Sequence, residues 1–175
     1  MSIGNFAVGI GVLVIAGIIE PLAETFEVSL STIGLLVTVY AVAYALSSPI
    51  LVSLTGRVSR RAILAVALLL LFVGNVLAAT AISYAIVFVG RIIMAFGAAI
   101  YTPAATATAA ALTAPEDRGK AIAFVYTGFT AANALGLPLG TFLGLNYGWR
   151  LTFWLLAIMA AMSAGFLWRG LPNDV

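Results

Sequence analysis

The chain has 175 residues, 63% of them hydrophobic and 8% charged, with a net charge of +2. Soluble domains carry about 25% charged residues, so water cannot cover this chain and lipid is the expected solvent; the mean hydropathy of +1.18 agrees. Cysteine and histidine are both absent, which excludes disulfides and thiolate metal sites and removes the commonest general base, metal ligand and pH switch; eight basic residues are too few for a nucleic-acid surface, and no cofactor, metal or catalytic constellation is expected.

A bilayer core about 30 Å thick needs roughly 20 apolar residues per helix, and six stretches meet this. The first spans 3–19. It has no Lys or Arg ahead of it, so it lacks the charged start of a signal peptide and reads as a retained helix. The segment after it holds Glu20, Glu24 and Glu27 and no basic residue. Glu20, beside Pro21, comes closest to a protonatable group at membrane depth, or is a solvated cap.

The second span, 31–54, sets Tyr40, Tyr44, Ser47 and Ser48 on a shared face. That face suits either a cavity for amphipathic solutes or interhelical hydrogen bonding. The loop that follows carries Arg57, Arg60 and Arg61, either as a plain positive anchor or as a latch that holds helix ends in one conformational state. The third span is 62–81, with Asn75 inside it.

The fourth span, 84–112, contains Arg91 about eight residues in. A charge at that depth costs about 2.5–3.5 kcal/mol on insertion scales, so Arg91 is expected to face a watery cavity or a partner, the alternative being a guanidinium that snorkels to the interface. Helical spacing puts Met94, Ala95, Ala98, Tyr101 and Thr102 on its face. A loop with Glu116, Asp117, Arg118 and Lys120 leads to the fifth span, 121–145. There Gly128, Ala132, Gly136, Gly140 and Gly144 recur every four residues, a stripe that lets helix backbones approach closely in lipid. Pro138 lies within the stripe and should bend the helix, so Gly136, Pro138 and Gly140 are either packing or a deformable gate. Tyr126, Thr130 and Asn133 offer polar contacts on the same helix. The sixth span is 151–168.

Loop charges set orientation. Putting the even loops and both termini in the cytoplasm leaves six Lys/Arg inside and Arg150 alone outside, with Arg91 in a helix. Pro49 precedes Arg61 by the same interval as Pro138 precedes Arg150, an offset of 89 residues. This points to two three-helix repeats, 3–82 and 83–169, of opposite membrane orientation. The expected fold is therefore an all-α membrane bundle of six helices in a 3+3 inverted repeat, 1–175 forming one unit.

Several segments resemble the amino-terminal half of the major facilitator superfamily, and more closely its drug/proton antiporter group with the arabinose- and purine-efflux permeases. Leu54-Thr55-Gly56-Arg57-Val58-Ser59-Arg60-Arg61 is similar to the family's loop between helices two and three, with Gly56 in place of the acid and Ser59 in place of the second glycine. Gly90-Arg91-Ile92-Ile93-Met94-Ala95-Phe96-Gly97 resembles the fourth-helix motif whose arginine is linked to proton coupling; Met94 and Ala95 depart from its glutamine and glycine. Gly128 through Gly140 resembles the antiporter glycine–proline motif, and Gly148-Trp149-Arg150 with Phe153 the start of the sixth helix.

The resemblance implies a secondary transporter in a prokaryotic plasma membrane. It would move a small organic solute by alternating access, with proton-coupled efflux, and Arg91, Met94, Tyr101, Tyr40, Tyr44 and Asn133 would lie on the substrate and proton path. The family has twelve helices, so a second copy pairing as a homodimer, a separately encoded half or a missing half would complete the path. The rival reading is a membrane interaction protein, or a truncated fragment, that transports nothing.

Overall fold

The computed structural model describes residues 1–55 and 58–170. These fold into α1 (Ser2–Gly17), α2 (Ile19–Phe26), α3 (Leu30–Thr55), α4 (Arg60–Ala79), α5 (Tyr84–Ala111), a 3-10 turn (Pro115–Asp117), α6 (Arg118–Tyr147) and α7 (Trp149–Gly170). In lipid a spanning backbone must satisfy its own polar groups, which leaves the helix as the only solution for apolar runs of this length. Four helices, α3, α4, α5 and α7, are long and apolar enough to cross a membrane as single straight pieces; two bent pairs raise the number to six.

The expected first span, 3–19, is matched by α1, which together with α2 forms one of the bent pairs. The chain breaks at Ile18 and α2 leaves α1 at 64°. The cause is Pro21, which lacks an N–H and whose ring crowds the carbonyl four residues back, on Gly17. The acidic segment read as a loop is thus a two-turn helix, with Glu20, Glu24 and Glu27 exposed. The indole N–H of Trp149 donates to Thr25 Oγ1 at 2.9 Å and its ring lies 5.6 Å from that of Phe26, so α2 is pinned to the start of α7. The second bent pair is α6, turned by 51° between its Pro115–Gly136 and Pro138–Tyr147 pieces.

Helix pairing follows the small residues. Gly128, Ala132, Gly136, Gly140 and Gly144 are all buried and face α1. A Cβ on Gly128 would sit 2.0 Å from the Ser2 carbonyl oxygen, and one on Gly144 2.4 Å from Ile18 Cγ2. The stripe is therefore the α1–α6 seam, and Gly9 and Gly17 answer it from α1. A second seam joins α4 to α5 through Gly74, Gly90 and Gly97, where a Cβ on Gly97 would meet the Ala67 carbonyl oxygen at 2.8 Å. Helix α3 lies along α5, and α4 along α7.

The α4–α7 pair is held at both ends by arginines. Arg61, in the first turn of α4, donates to the Trp168 carbonyl at 2.8 Å and stacks 4.3 Å above the Trp168 ring. Arg150, in the first turn of α7, donates to the Ala81 carbonyl at 2.9 Å, just beyond the end of α4, and stacks on Trp149. Each cation thus meets carbonyls at a helix C-terminus, where the helix dipole favours positive charge.

Candidate functional site

A cleft of about 340 Å³ opens between α1, α3, α5 and α6. Val8 and Val12 of α1 form one wall; Val37, Tyr40, Ala41 and Tyr44 of α3 face them, with Thr102 of α5 and Tyr126 and Phe129 of α6 completing it. The lining is apolar and aromatic with a few hydroxyls and no carboxylate among the described residues. Tyr44 is half-buried and Tyr126 is 46% exposed, so both phenols can meet an incoming solute.

Arg91 stands behind this wall. It is fully buried, with Nε donating to the Leu36 carbonyl of α3 at 3.1 Å and Nη1 to the Gly11 carbonyl of α1. Its guanidinium lies 4.2 Å from the centre of the Tyr40 ring, and Tyr40 is also part of the cleft wall. Arg91 Nη2 and the Tyr40 hydroxyl, both buried, have no hydrogen-bond partner among the described residues. The energies are comparable. Burying the charge costs about 2.5–3.5 kcal/mol, a desolvated cation–π contact returns up to about 2 kcal/mol, and each interhelical hydrogen bond in lipid about 0.6–1.7 kcal/mol. A guanidinium can therefore sit here without a counter-ion, and in doing so it joins α1, α3 and α5 at one point.

A second polar junction lies near the start of α1. Asn5, also fully buried, donates from Nδ2 to the Val125 carbonyl of α6 at 3.1 Å and accepts from Thr102 Oγ1 at 2.9 Å. The Tyr101 hydroxyl donates to the Met1 carbonyl at 3.0 Å. Arg91 and Asn5 thus tie together the helices that surround the cleft.

The residues singled out from sequence divide accordingly. Tyr40 and Tyr44 line the cleft, and Arg91 backs it through Tyr40. Asn133 is exposed on α6, one turn beyond Phe129 on the same side of the helix. Met94 and Tyr101 are not part of the lining: Met94 packs on Gly74 in the α4–α5 seam, and Tyr101 fills the space beside Gly4. Ser47 and Thr130 bond carbonyls of their own helices, Tyr44 and Tyr126 respectively. Asn75 does the same, to Leu71 at 2.8 Å. Of the basic loop, Arg57 lies outside the described residues, Arg60 is half-buried at the start of α4, and Arg61 clasps α7. Gly136 and Gly140 are buried against Ile10 and Val14, while Pro138 is exposed at the bend. Sequence reasoning missed Phe129 and the hydrogen bond between Thr102 and Asn5. A pair of isolated polar residues in two apolar runs was the available signal for the latter.

The family model of the Major Facilitator Superfamily matches residues 1–175. YbcL of Bacillus subtilis (strain 168), an uncharacterized MFS-type transporter, is 36% identical over 172 residues, covering 98% of this chain and 44% of YbcL. YtbD of the same strain, likewise an uncharacterized MFS-type transporter, is 32% identical over 171 residues, covering 98% of this chain and 43% of YtbD. AraJ of Escherichia coli (strain K12) is 28% identical over 170 residues, with 96% and 43% covered. The chain therefore spans less than half the length of these curated relatives. Among solved structures, the D-xylose–proton symporter superposes with a TM-score of 0.83 at 20% identity, covering 98% of this chain and 46% of the symporter. The peptide transporter POT in complex with alafosfalin gives 0.82 at 16% identity, with 96% and 36% covered; both show the fold. The chain belongs to the major facilitator superfamily, whose members are multi-pass membrane transporters and not enzymes.

Proposed function

We propose that this chain forms one six-helix half of an alternating-access transporter for a small organic solute, working as a proton-coupled exporter in a prokaryotic plasma membrane. The observation that carries the reading is the aromatic cleft between α1, α3, α5 and α6, backed by a buried arginine; in this reading a second half closes it. Tyr44, Tyr126 and Asn133 would contact the solute, and Tyr40 would couple its presence to Arg91. Among the described residues no carboxylate is buried, and in this reading the completing half supplies the group that carries the proton.

An inverted 3+3 repeat, 3–82 and 83–169, is supported by the pairing of helices. The seams α1–α6 and α3–α5 exchange under an offset of 89, and so do the two arginine clasps: Arg61 maps onto Arg150, and Ala81 falls within two residues of Trp168. With the basic ends of α4 and α6 in the cytoplasm, both termini of the described chain lie there as well. The clasped α4–α7 pair then serves as the rigid outer layer. The bend at Pro138 gives α6 the freedom to rock against it.

Oligomeric state in mild detergent, followed by reconstitution into vesicles loaded with a pH-sensitive dye, tests this. A homodimer or two-half complex that moves protons when solute is added is the expected result. A strict monomer that transports unaided would overturn the need for a second half.

A further inference from the structure

On the face of α3 turned away from the cleft, a second apolar groove runs along the bundle. Its upper part, about 520 Å³, lies between α3 and α5 and touches Leu70 midway along α4. Its lower part, about 250 Å³, continues between the same helices to the start of α4, and Ile100 belongs to both parts. From Val39 to Val52 on α3 the groove is about 20 Å long at 1.5 Å per residue, enough for one leaflet of a hydrocarbon core about 30 Å thick. The upper part is apolar except for Ser47, whose hydroxyl is turned back onto the Tyr44 carbonyl. Leu46 and Ile50 on its rim are 67% and 59% exposed. Arg60 stands at the far end and is the one charged side chain among the described residues lining either part.

An apolar slot one leaflet long with a single cation at its polar end fits one kind of molecule in a bilayer. We propose that the groove holds an acyl chain of an anionic phospholipid, with the phosphate on Arg60. Basic pockets between helices at a membrane surface recognise such headgroups, and a chain lying against Leu46, Ile50 and Phe96 covers apolar side chains that these helices leave exposed. Lipid at this groove does not depend on the transport reading above, only on the helices lying in a bilayer.

The test is native mass spectrometry of the full chain in mild detergent with dioleoyl phosphatidylglycerol, dioleoyl phosphatidylcholine, or glycerol phosphate, which has no chain. The wild type should retain phosphatidylglycerol about fivefold better than phosphatidylcholine, the ratio set by one basic side chain near a membrane surface. Arg60→Gln should bring the two lipids level and Arg60→Lys should keep the preference. Ala43→Phe, which fills the groove, should lower both lipids together. Lys120→Gln, in an exposed pair with Asp117 away from the groove, should change nothing. A preference that survives Arg60→Gln, or that Lys120→Gln removes, overturns the proposal. So do lipid retention unaffected by Ala43→Phe, glycerol phosphate binding as well as whole lipid, or groove shielding that follows protein concentration, which would give the groove to a second copy.

Discussion

Arg91 concentrates the energetic question at the residue scale. Its two carbonyl bonds and its place over Tyr40 join three helices, so Arg91→Ala should lower stability by about 1–3 kcal/mol and shift the thermal unfolding midpoint measurably. Arg91→Lys keeps the charge but loses the planar fork that reaches two carbonyls at once and stacks on the ring; it should recover less than half of that loss. Transport left untouched by Arg91→Ala would remove Arg91 from the mechanism. That an arginine lay at membrane depth was legible in the sequence, as was the need for a partner. The partners themselves were not, because backbone carbonyls of Leu36 and Gly11 leave no trace in residue identity. Met94 and Tyr101 share the Arg91 face by spacing, yet a helix in the middle of a bundle has neighbours all round, and spacing alone does not say which face meets α4 and which meets the cleft.

The two glycine seams set the geometry among elements. At Gly97 an added methyl would lie 2.8 Å from the Ala67 carbonyl oxygen and 2.9 Å from the Leu71 nitrogen, both backbone. Gly97→Ala must therefore part α4 from α5 and should cost about 1–3 kcal/mol by overpacking. Gly34→Ala, with open space around it on α3, should instead stabilise by about 0.5–1 kcal/mol through helix propensity. Denaturation of the two variants side by side checks the contrast. The arginine clasps make a separate prediction. They lie at opposite ends of a 20-residue helix, about 30 Å apart, so the effects of Arg61→Gln and Arg150→Gln on stability should add within about 0.5 kcal/mol in a double-mutant cycle. The α1–α6 stripe was readable because its four-residue period is complete. The α4–α5 seam was hidden because Gly74, Gly90 and Gly97 are split between two helices. The end of the first span was legible at residue 19; that the acidic segment beyond it is the helix α2 was not, because its glutamates interrupt the apolar run.

Across the whole molecule, the apolar runs carried most of the architecture, since lipid leaves a spanning backbone no choice but helix. Orientation makes a prediction here: single cysteines at Glu24 and at Lys120 should react with an impermeant thiol reagent from opposite sides of a sealed vesicle. The chain contains no native cysteine, so each label reports one position. The most direct test of the central claim uses the same chemistry. Cysteine at Tyr126, in the cleft, is compared with cysteine at Phe166, 61% exposed on α7 away from it. If the face of α1, α3, α5 and α6 is one wall of a water-filled transport path, Tyr126→Cys reacts with the impermeant reagent and Phe166→Cys, in lipid, does not. Equal lack of reaction at both positions would place the cleft in lipid and contradict the account.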